Sequence, residues 1–187
     1  PERHVYFTAV FSKPFRDFGI MQDTIPVKYN TNRFRSSLEA WGKDLRFWMR
    51  FPTRQGEVVT VKTAVSAVSS DGAKLNMQEL EGKTFASLKA EGEKLWEGQL
   101  SKFKIEATPE QRETFYTSVY HAFLHPFIFQ DADGKFRELD KNIGQAEGFT
   151  NYTVFSLWDT YRALHPLFNL VQRDINADIV NSMLAHY

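Results

Sequence analysis

One change of period governs this chain. Apolar residues recur at every second position up to about Ser70, and at every third or fourth position after it. Strands first and helices after predict an α+β fold or two separate domains. In residues 5–12, Val5, Phe7, Ala9 and Phe11 share one face. Leu45, Phe47, Met49 and Phe51 alternate with Arg46, Trp48 and Arg50, the pattern of a half-buried strand that Pro52 ends. Arg54-Gln55-Gly56-Glu57 supplies a turn, and Val59, Val61, Thr63, Val65 and Ala67 alternate as a return strand. These two segments are predicted to pair as an antiparallel hairpin. Residues 13–41 are rich in turn formers and carry no clear assignment.

Beyond Ser70, Leu75 to Glu79 predicts a short helix, and Phe85, Leu88, Leu95, Leu100 and Phe103 place a solvent-lined linker helix near residues 84–101. Gly92 and Gly98 weaken its continuity. The best helix start is Thr108-Pro109-Glu110-Gln111: a threonine N-cap, proline at N1, and a glutamine at N3 that completes a capping box. Phe115, Val119 and Phe123 follow at helical spacing, and Pro126 ends the run. A second helix is predicted from about Phe155 to Leu164 with a restart at His165-Pro166. A third starts near Asp174 with Ile175, Ile179, Met183 and Tyr187 on one stripe. Two or three strands do not close a sandwich, and three amphipathic helices leave faces that need cover.

Composition narrows the partners. Lys+Arg and Asp+Glu both number 23, so no bulk field draws the chain to nucleic acid or to an anionic membrane. The chain has no cysteine, which excludes disulfide scaffolds, thiolate zinc sites and cysteine nucleophiles. The longest stretch without charged residues, 114–130, holds two histidines and a proline and falls short of the ~20 apolar residues of a membrane span. The chain opens Pro1-Glu2-Arg3-His4, without an initiator methionine or an apolar signal region, as expected of a chain that lost a leader or was cut from a longer one. Aromatic residues make up 15%, which suits a large packed core and also a sugar-binding surface.

Four motifs bear on chemistry. His121 and His125 have the i, i+4 spacing that can bind zinc on a helix, but Ala122 stands where a metalloprotease has its glutamate. Asp131-Ala132-Asp133-Gly134 evokes a calcium loop. Aligning Gly134 with that loop's invariant glycine puts Phe129 at the first ligand and Asp140 at the bidentate position, so the reading is an Asp/Gly turn. Asn151-Tyr152-Thr153 matches a glycosylation acceptor, a triplet frequent by chance. In Ser156-Leu157-Trp158-Asp159-Thr160-Tyr161-Arg162, an indole and a carboxylate stand side by side at a helix start. An indole stacks on a sugar face and a carboxylate accepts from vicinal hydroxyls. The competing reading makes Trp158 core and Asp159 a helix cap or a partner of Arg162.

These residues carry a resemblance. Tyr6-Phe7 and Phe11-Ser12-Lys13-Pro14-Phe15 begin it. It continues through Val65-Ser66, Ser69-Ser70-Asp71-Gly72-Ala73, Asn76, Phe115-Tyr116-Thr117, Tyr120-His121, Pro126 and Asp131-Ala132-Asp133-Gly134. It is strongest in Phe155-Ser156-Leu157-Trp158-Asp159-Thr160-Tyr161-Arg162 with His165-Pro166-Leu167. With these motifs in order, the whole chain resembles the bacterial α-mannosidases of glycoside hydrolase family 92. It departs from the family pattern at Glu138-Leu139-Asp140.

The resemblance implies an α+β piece. Residues 1–70 would be the end of an antiparallel β-sandwich, 71–107 linker helices, and 108–187 the first helices of an incomplete (α/α)6 barrel. It implies part of a calcium-dependent, inverting exo-α-mannosidase acting on α-linked, above all α-1,2-linked, mannose of an oligosaccharide or N-glycan. Inversion needs an acid on the leaving oxygen and a base that activates water on the opposite face. Calcium would coordinate mannose hydroxyls and help distort the ring. The family's Trp-Asp pair in the sugar pocket matches Trp158 and Asp159. Its acid, base and main calcium ligands match nothing here, so no catalytic or metal-binding residue is assigned, and the chain alone is expected to lack mannosidase activity. The remainder of its own polypeptide would be its main partner, in the periplasm or outside the cell. The alternatives are a non-catalytic carbohydrate-binding protein of the same fold and another two-domain (α/α)6 glycan-acting enzyme, such as a disaccharide phosphorylase.

Overall fold

The computed structural model describes residues 3–26, 42–153 and 155–186. Antiparallel strands come first and helices after, so the α+β class holds. Two compact units divide the chain: residues 9–62, and residues 1–8 with 63–187.

Residues 9–62 hold the strands β2 (Asp17–Gln22), β3 (Ile25–Pro26) and β4 (Leu45–Arg50) in the order β3-β2-β4. A two-residue turn links β2 to β3, with Asp23 at φ 54°, a left-handed value that Asp tolerates better than most side chains. The β2–β4 register runs from Asp17 opposite Arg50 to Gln22 opposite Leu45. It sets Gly19 against Trp48, where a Cβ would meet the indole at 2.7 Å, so the ring lies over the glycine. The unit packs through aromatic rings: Phe11 on Phe51 at 5.3 Å, Phe15 on Phe18 at 5.5 Å, and Phe18 on Phe47 at 5.9 Å. Phe47 and Phe51 are the rings that alternation placed on one face.

The expected hairpin does not form. β4 pairs with β2, whereas β5 (Val61–Ser66) pairs with β1 (Tyr6–Phe11). The turn exists, with Glu57 N–H donating to Arg54 C=O at 3.1 Å and Gly56 at φ 82°, but the strands on either side of it have different partners. Alternation names a strand and not its partner. On β5, Ser66 is buried, and Val61 and Val65 are exposed in this chain.

In residues 63–187, Ser69 caps helix α1 (Ser70–Met77) by accepting from Gly72 N–H at 2.9 Å, and a 3-10 turn follows at Gln78–Leu80. Helix α2 (Phe85–Leu100) starts on a reciprocal Thr84/Ser87 cap and has no buried residue in this chain. The Thr108/Gln111 capping box forms in full at the start of α3 (Pro109–Ala122), a cap worth about 1 kcal/mol. Between α3 and the next helix lie four short strands that periodicity did not register. β6 (Phe127–Ile128) pairs with β9 (Tyr152–Thr153), and β7 (Lys135–Arg137) with β8 (Ile143–Gln145). Helix α4 is a single turn (Leu157–Thr160), and the chain restarts as α5 (Leu164–Val171), a residue before His165-Pro166. In α6 (Arg173–Ala185) the stripe of Ile175, Ile179 and Met183 faces inward; Tyr187 lies outside the described residues.

The core joins Tyr152, Phe168 and Ile179, with Phe123, Phe155, Leu164, Ile175 and Met183 packed around them. Ser182, fully buried, accepts Tyr152 N–H at 2.9 Å and so fixes β9 against α6. Lys102 donates to Gln172 Oε1 at 2.7 Å and Gln172 donates to Gln99 Oε1 at 2.6 Å, which ties the end of α2 to the α5–α6 junction. Among the described residues no helix is long and apolar enough to cross a membrane.

Candidate sugar site

The segment leading to the site emerges from β9, whose neighbour Asn151 is completely buried and donates from its side chain to Phe129 C=O at 2.8 Å. That burial closes the glycosylation triplet to a glycan. After Phe155, which packs on the core, the chain turns outward into α4. Trp158 is 82% exposed in this chain. Asp159 is exposed and pairs with Ser156, whose hydroxyl donates to Oδ2. Arg162 does not pair with Asp159: its Nε donates to Tyr161 Oη at 2.5 Å and its guanidinium lies 5.2 Å over the Tyr161 ring. Asp159 and Thr160 send their N–H groups to Ser156 C=O, at 3.0 and 3.1 Å, and the Asp159 carboxylate caps no backbone donor. In this chain Trp158 is exposed, and Asp159 makes neither the backbone cap nor the Arg162 pair of the competing reading. Trp158 and Asp159 form an open aromatic-acid pair on one short turn.

Beside that turn lies a cavity of about 230 Å³ lined by His125, Pro126, Phe155, Ser156, Leu164 and His165, with Thr160 on its wall. His165 Nδ1 lies 3.2 Å from Asn176 Oδ1, and Asn176 Nδ2 donates to Asn169 Oδ1 at 2.7 Å. Alternation and motif spacing gave no hint of this cavity, because its walls come from three separate segments. Ser156 was within reach: a serine three residues before an aspartate is a helix-start spacing.

The zinc spacing dissolves in the structure. Helix α3 ends at Ala122, so His125 leaves the helix and stacks on Phe127 at 5.4 Å, while His121 lies 5.6 Å from Tyr120. The Asp131–Gly134 turn is a buried joint. Asp131, 4% exposed, accepts from Ser66 Oγ at 2.6 Å and from Asn76 Nδ2 at 2.8 Å. Asn76 Oδ1 in turn accepts Ala132 N–H at 2.7 Å. Gly134, at φ 81°, closes the turn by donating to Asp131 C=O at 2.8 Å. Asp133 accepts from Lys135 Nζ at 2.6 Å, which holds its carboxyl below the usual range. Asp140 accepts from Asn142. Asp131, Asp133 and Asp140 are each committed to a neighbour, and among the described residues no three His, Asp or Glu side chains converge as a metal cluster. This donor set does not fit calcium.

Comparison with known proteins places these features. The model of the glycosyl hydrolase family 92 catalytic domain matches residues 72–187. The chain belongs to glycosyl hydrolase family 92. All of this family 92 chain superposes on the GH92 α-mannosidase BT3965 from Bacteroides thetaiotaomicron, with a TM-score of 0.94 and 68% identity. The structure of BT3965 in complex with mannoimidazole gives the same values. The GH92 inverting mannosidase BT2199 from Bacteroides thetaiotaomicron VPI-5482 matches 95% of the chain at 25% identity, with a TM-score of 0.79. The chain spans about a quarter of the length of these relatives: 25% of BT3965 and 24% of BT2199. No curated protein sequence matches it.

Proposed function

We propose that this chain is a segment of a longer, calcium-dependent, inverting exo-α-mannosidase that removes α-linked mannose, α-1,2-linked above all, from oligosaccharides or N-glycans. The observation that carries the reading is 68% identity along the entire chain to an α-mannosidase whose mannoimidazole complex is known. In this reading Trp158 and Asp159 bind the terminal mannose. The indole offers an apolar platform for the C–H face of the ring, and the carboxylate accepts from sugar hydroxyls. The acid that protonates the leaving oxygen and the base that activates water come from elsewhere in the polypeptide. So do the calcium ligands, since Asp131, Asp133 and Asp140 are engaged with neighbouring side chains. A glycan substrate outside the cytoplasm agrees with a periplasmic or extracellular location.

The test uses the full-length enzyme and an α-1,2-linked mannobiose. Asp159→Ala is expected to lower kcat/KM by roughly 10² while leaving the thermal midpoint in place, the loss of about 3 kcal/mol of charge-assisted hydrogen bonding in the transition state. A lowered midpoint with wild-type kcat/KM would make Asp159 a structural residue. Wild-type enzyme that binds the disaccharide but releases no mannose would favour a carbohydrate-binding protein instead.

A further inference from the structure

The side chain that holds Asp159 does so by giving up the role its position normally has. Ser156 stands at the N-cap of α4 and Asp159 three residues on, the spacing at which a serine hydroxyl ordinarily accepts the N3 backbone N–H and the acidic side chain reaches back to the cap. Neither bond is made. The N–H groups of Asp159 and Thr160 go to Ser156 C=O at 3.0 and 3.1 Å, and Thr160 Oγ1 donates to the same oxygen at 3.1 Å. That leaves the Ser156 hydroxyl free of the backbone, and it donates to Asp159 Oδ2. Ser156 also lines the cavity beside α4.

Resting on the reading of Asp159 as a mannose ligand, we propose that Ser156 is a positioning residue that holds the Asp159 carboxylate in its sugar-accepting rotamer. An exposed aspartate samples several χ1 and χ2 wells. One hydroxyl bonded to Oδ2 selects among them and leaves Oδ1 without a partner among the described residues, open to a sugar hydroxyl. Orientation fixed before binding raises the rate without adding a contact to the substrate. Ser156 acts only through Asp159, and that dependence separates it from a helix cap or a sugar ligand in its own right.

A double-mutant cycle on the full-length enzyme with α-1,2-mannobiose tests this. Ser156→Ala is expected to lower kcat/KM about tenfold with an unchanged thermal midpoint, and Ser156→Thr, which keeps the hydroxyl, to recover most of the loss. Ser156→Gly, a backbone well suited to an N-cap, should behave as Ser156→Ala and serves if the alanine variant folds poorly. In an Asp159→Ala background, Ser156→Ala should cost nothing further. A tenfold loss in that background too would show that Ser156 acts independently and would overturn the proposal. So would a lowered midpoint with normal kcat/KM, the mark of a cap, or unchanged activity in both Ser156→Ala and Ser156→Gly. Should Asp159→Ala itself retain full activity, the mannose-ligand reading falls and the positioning role with it. Loss in Asp159→Ala with none in the Ser156 variants would sink the positioning role alone.

Discussion

Asp131 and Asp159 lie in one compact unit, and the chain treats them in opposite ways. Asp131 is buried and both its oxygens are engaged, one by the serine that ends β5 and one by an asparagine of α1. Ser66 in turn accepts Val68 and Ser69 N–H at 2.9 and 3.2 Å, so a single carboxylate organises the end of a strand, the start of a helix and the turn before β7. Asp159 is exposed, and one of its oxygens is held by one hydroxyl while the other has no partner among the described residues. A buried carboxylate with both oxygens engaged is architecture. An exposed one that is oriented but half unsatisfied is available to a ligand. The difference teaches that the count of free acceptor sites, more than the presence of an acid in a loop, separates the joint from the candidate site.

The largest effect expected on that contrast is structural. Asp131→Ala removes the acceptor that Ser66 and Asn76 share, leaving buried donors unpaired at a cost of about 3 kcal/mol. The full-length protein should show a clearly lowered midpoint in thermal or denaturant unfolding. Its kcat/KM per folded molecule should stay near wild type, the mirror image of Asp159→Ala. Equal damage to both quantities in both variants would erase the distinction between the two carboxylates.

Gly72→Ala sharpens the same contrast without touching a carboxylate. A Cβ at Gly72 would stand 2.1 Å from Asp131 Oδ2 and 2.7 Å from Ser66 Oγ. The added methyl must push the joint apart, at about 2 kcal/mol of overpacking strain. The midpoint should fall by less than in Asp131→Ala. Combining the two should cost less than their sum, because removing the carboxylate makes room for the methyl. Full additivity would mean that the close approach is relieved elsewhere.

How much of this was legible depended on the range of the signal. The caps at Thr84 and Thr108 are local, written in three or four consecutive residues, and the Thr108 box forms as its spacing demands. The stripe of α6 is equally local. The partner of β4 is not: Leu45 to Arg50 pair with residues more than twenty positions earlier, across a segment whose turn formers give no register. The strands β6 to β9 have two or three residues each, too few for a period to show. Trp158 and Asp159 stood out as a chemically apt pair in a row. Whether they were core or open, capped or free, turned on where α4 begins and on a serine hydroxyl that chose the carboxylate over the backbone. Asp131 was legible as a turn residue and illegible as a joint, because its partners Ser66 and Asn76 lie 65 and 55 residues away.

The smallest effect expected concerns the acid two residues from Asp131. Asp133 accepts from Lys135 Nζ at 2.6 Å and from Lys135 N–H at 3.2 Å, and these bonds, the side-chain one first, hold its carboxyl below the ordinary aspartate range. Lys135 is shifted upward by the same contact. A depressed carboxyl favours the folded state above the unfolded pKa, and that contribution disappears as pH falls through the folded one. The window therefore lies at and below the normal aspartate pKa. The pair is solvent-screened, so its weight in stability is slight. Proton titration followed residue by residue should find Asp133 below a reference aspartate. Lys135→Met, which keeps the backbone N–H bond, should raise it toward the ordinary range and change the unfolding midpoint at neutral pH very little. A large loss of stability in Lys135→Met would mean that the turn leans on this exposed pair as heavily as on Asp131, and the division between a buried joint and its solvated rim would have to be redrawn.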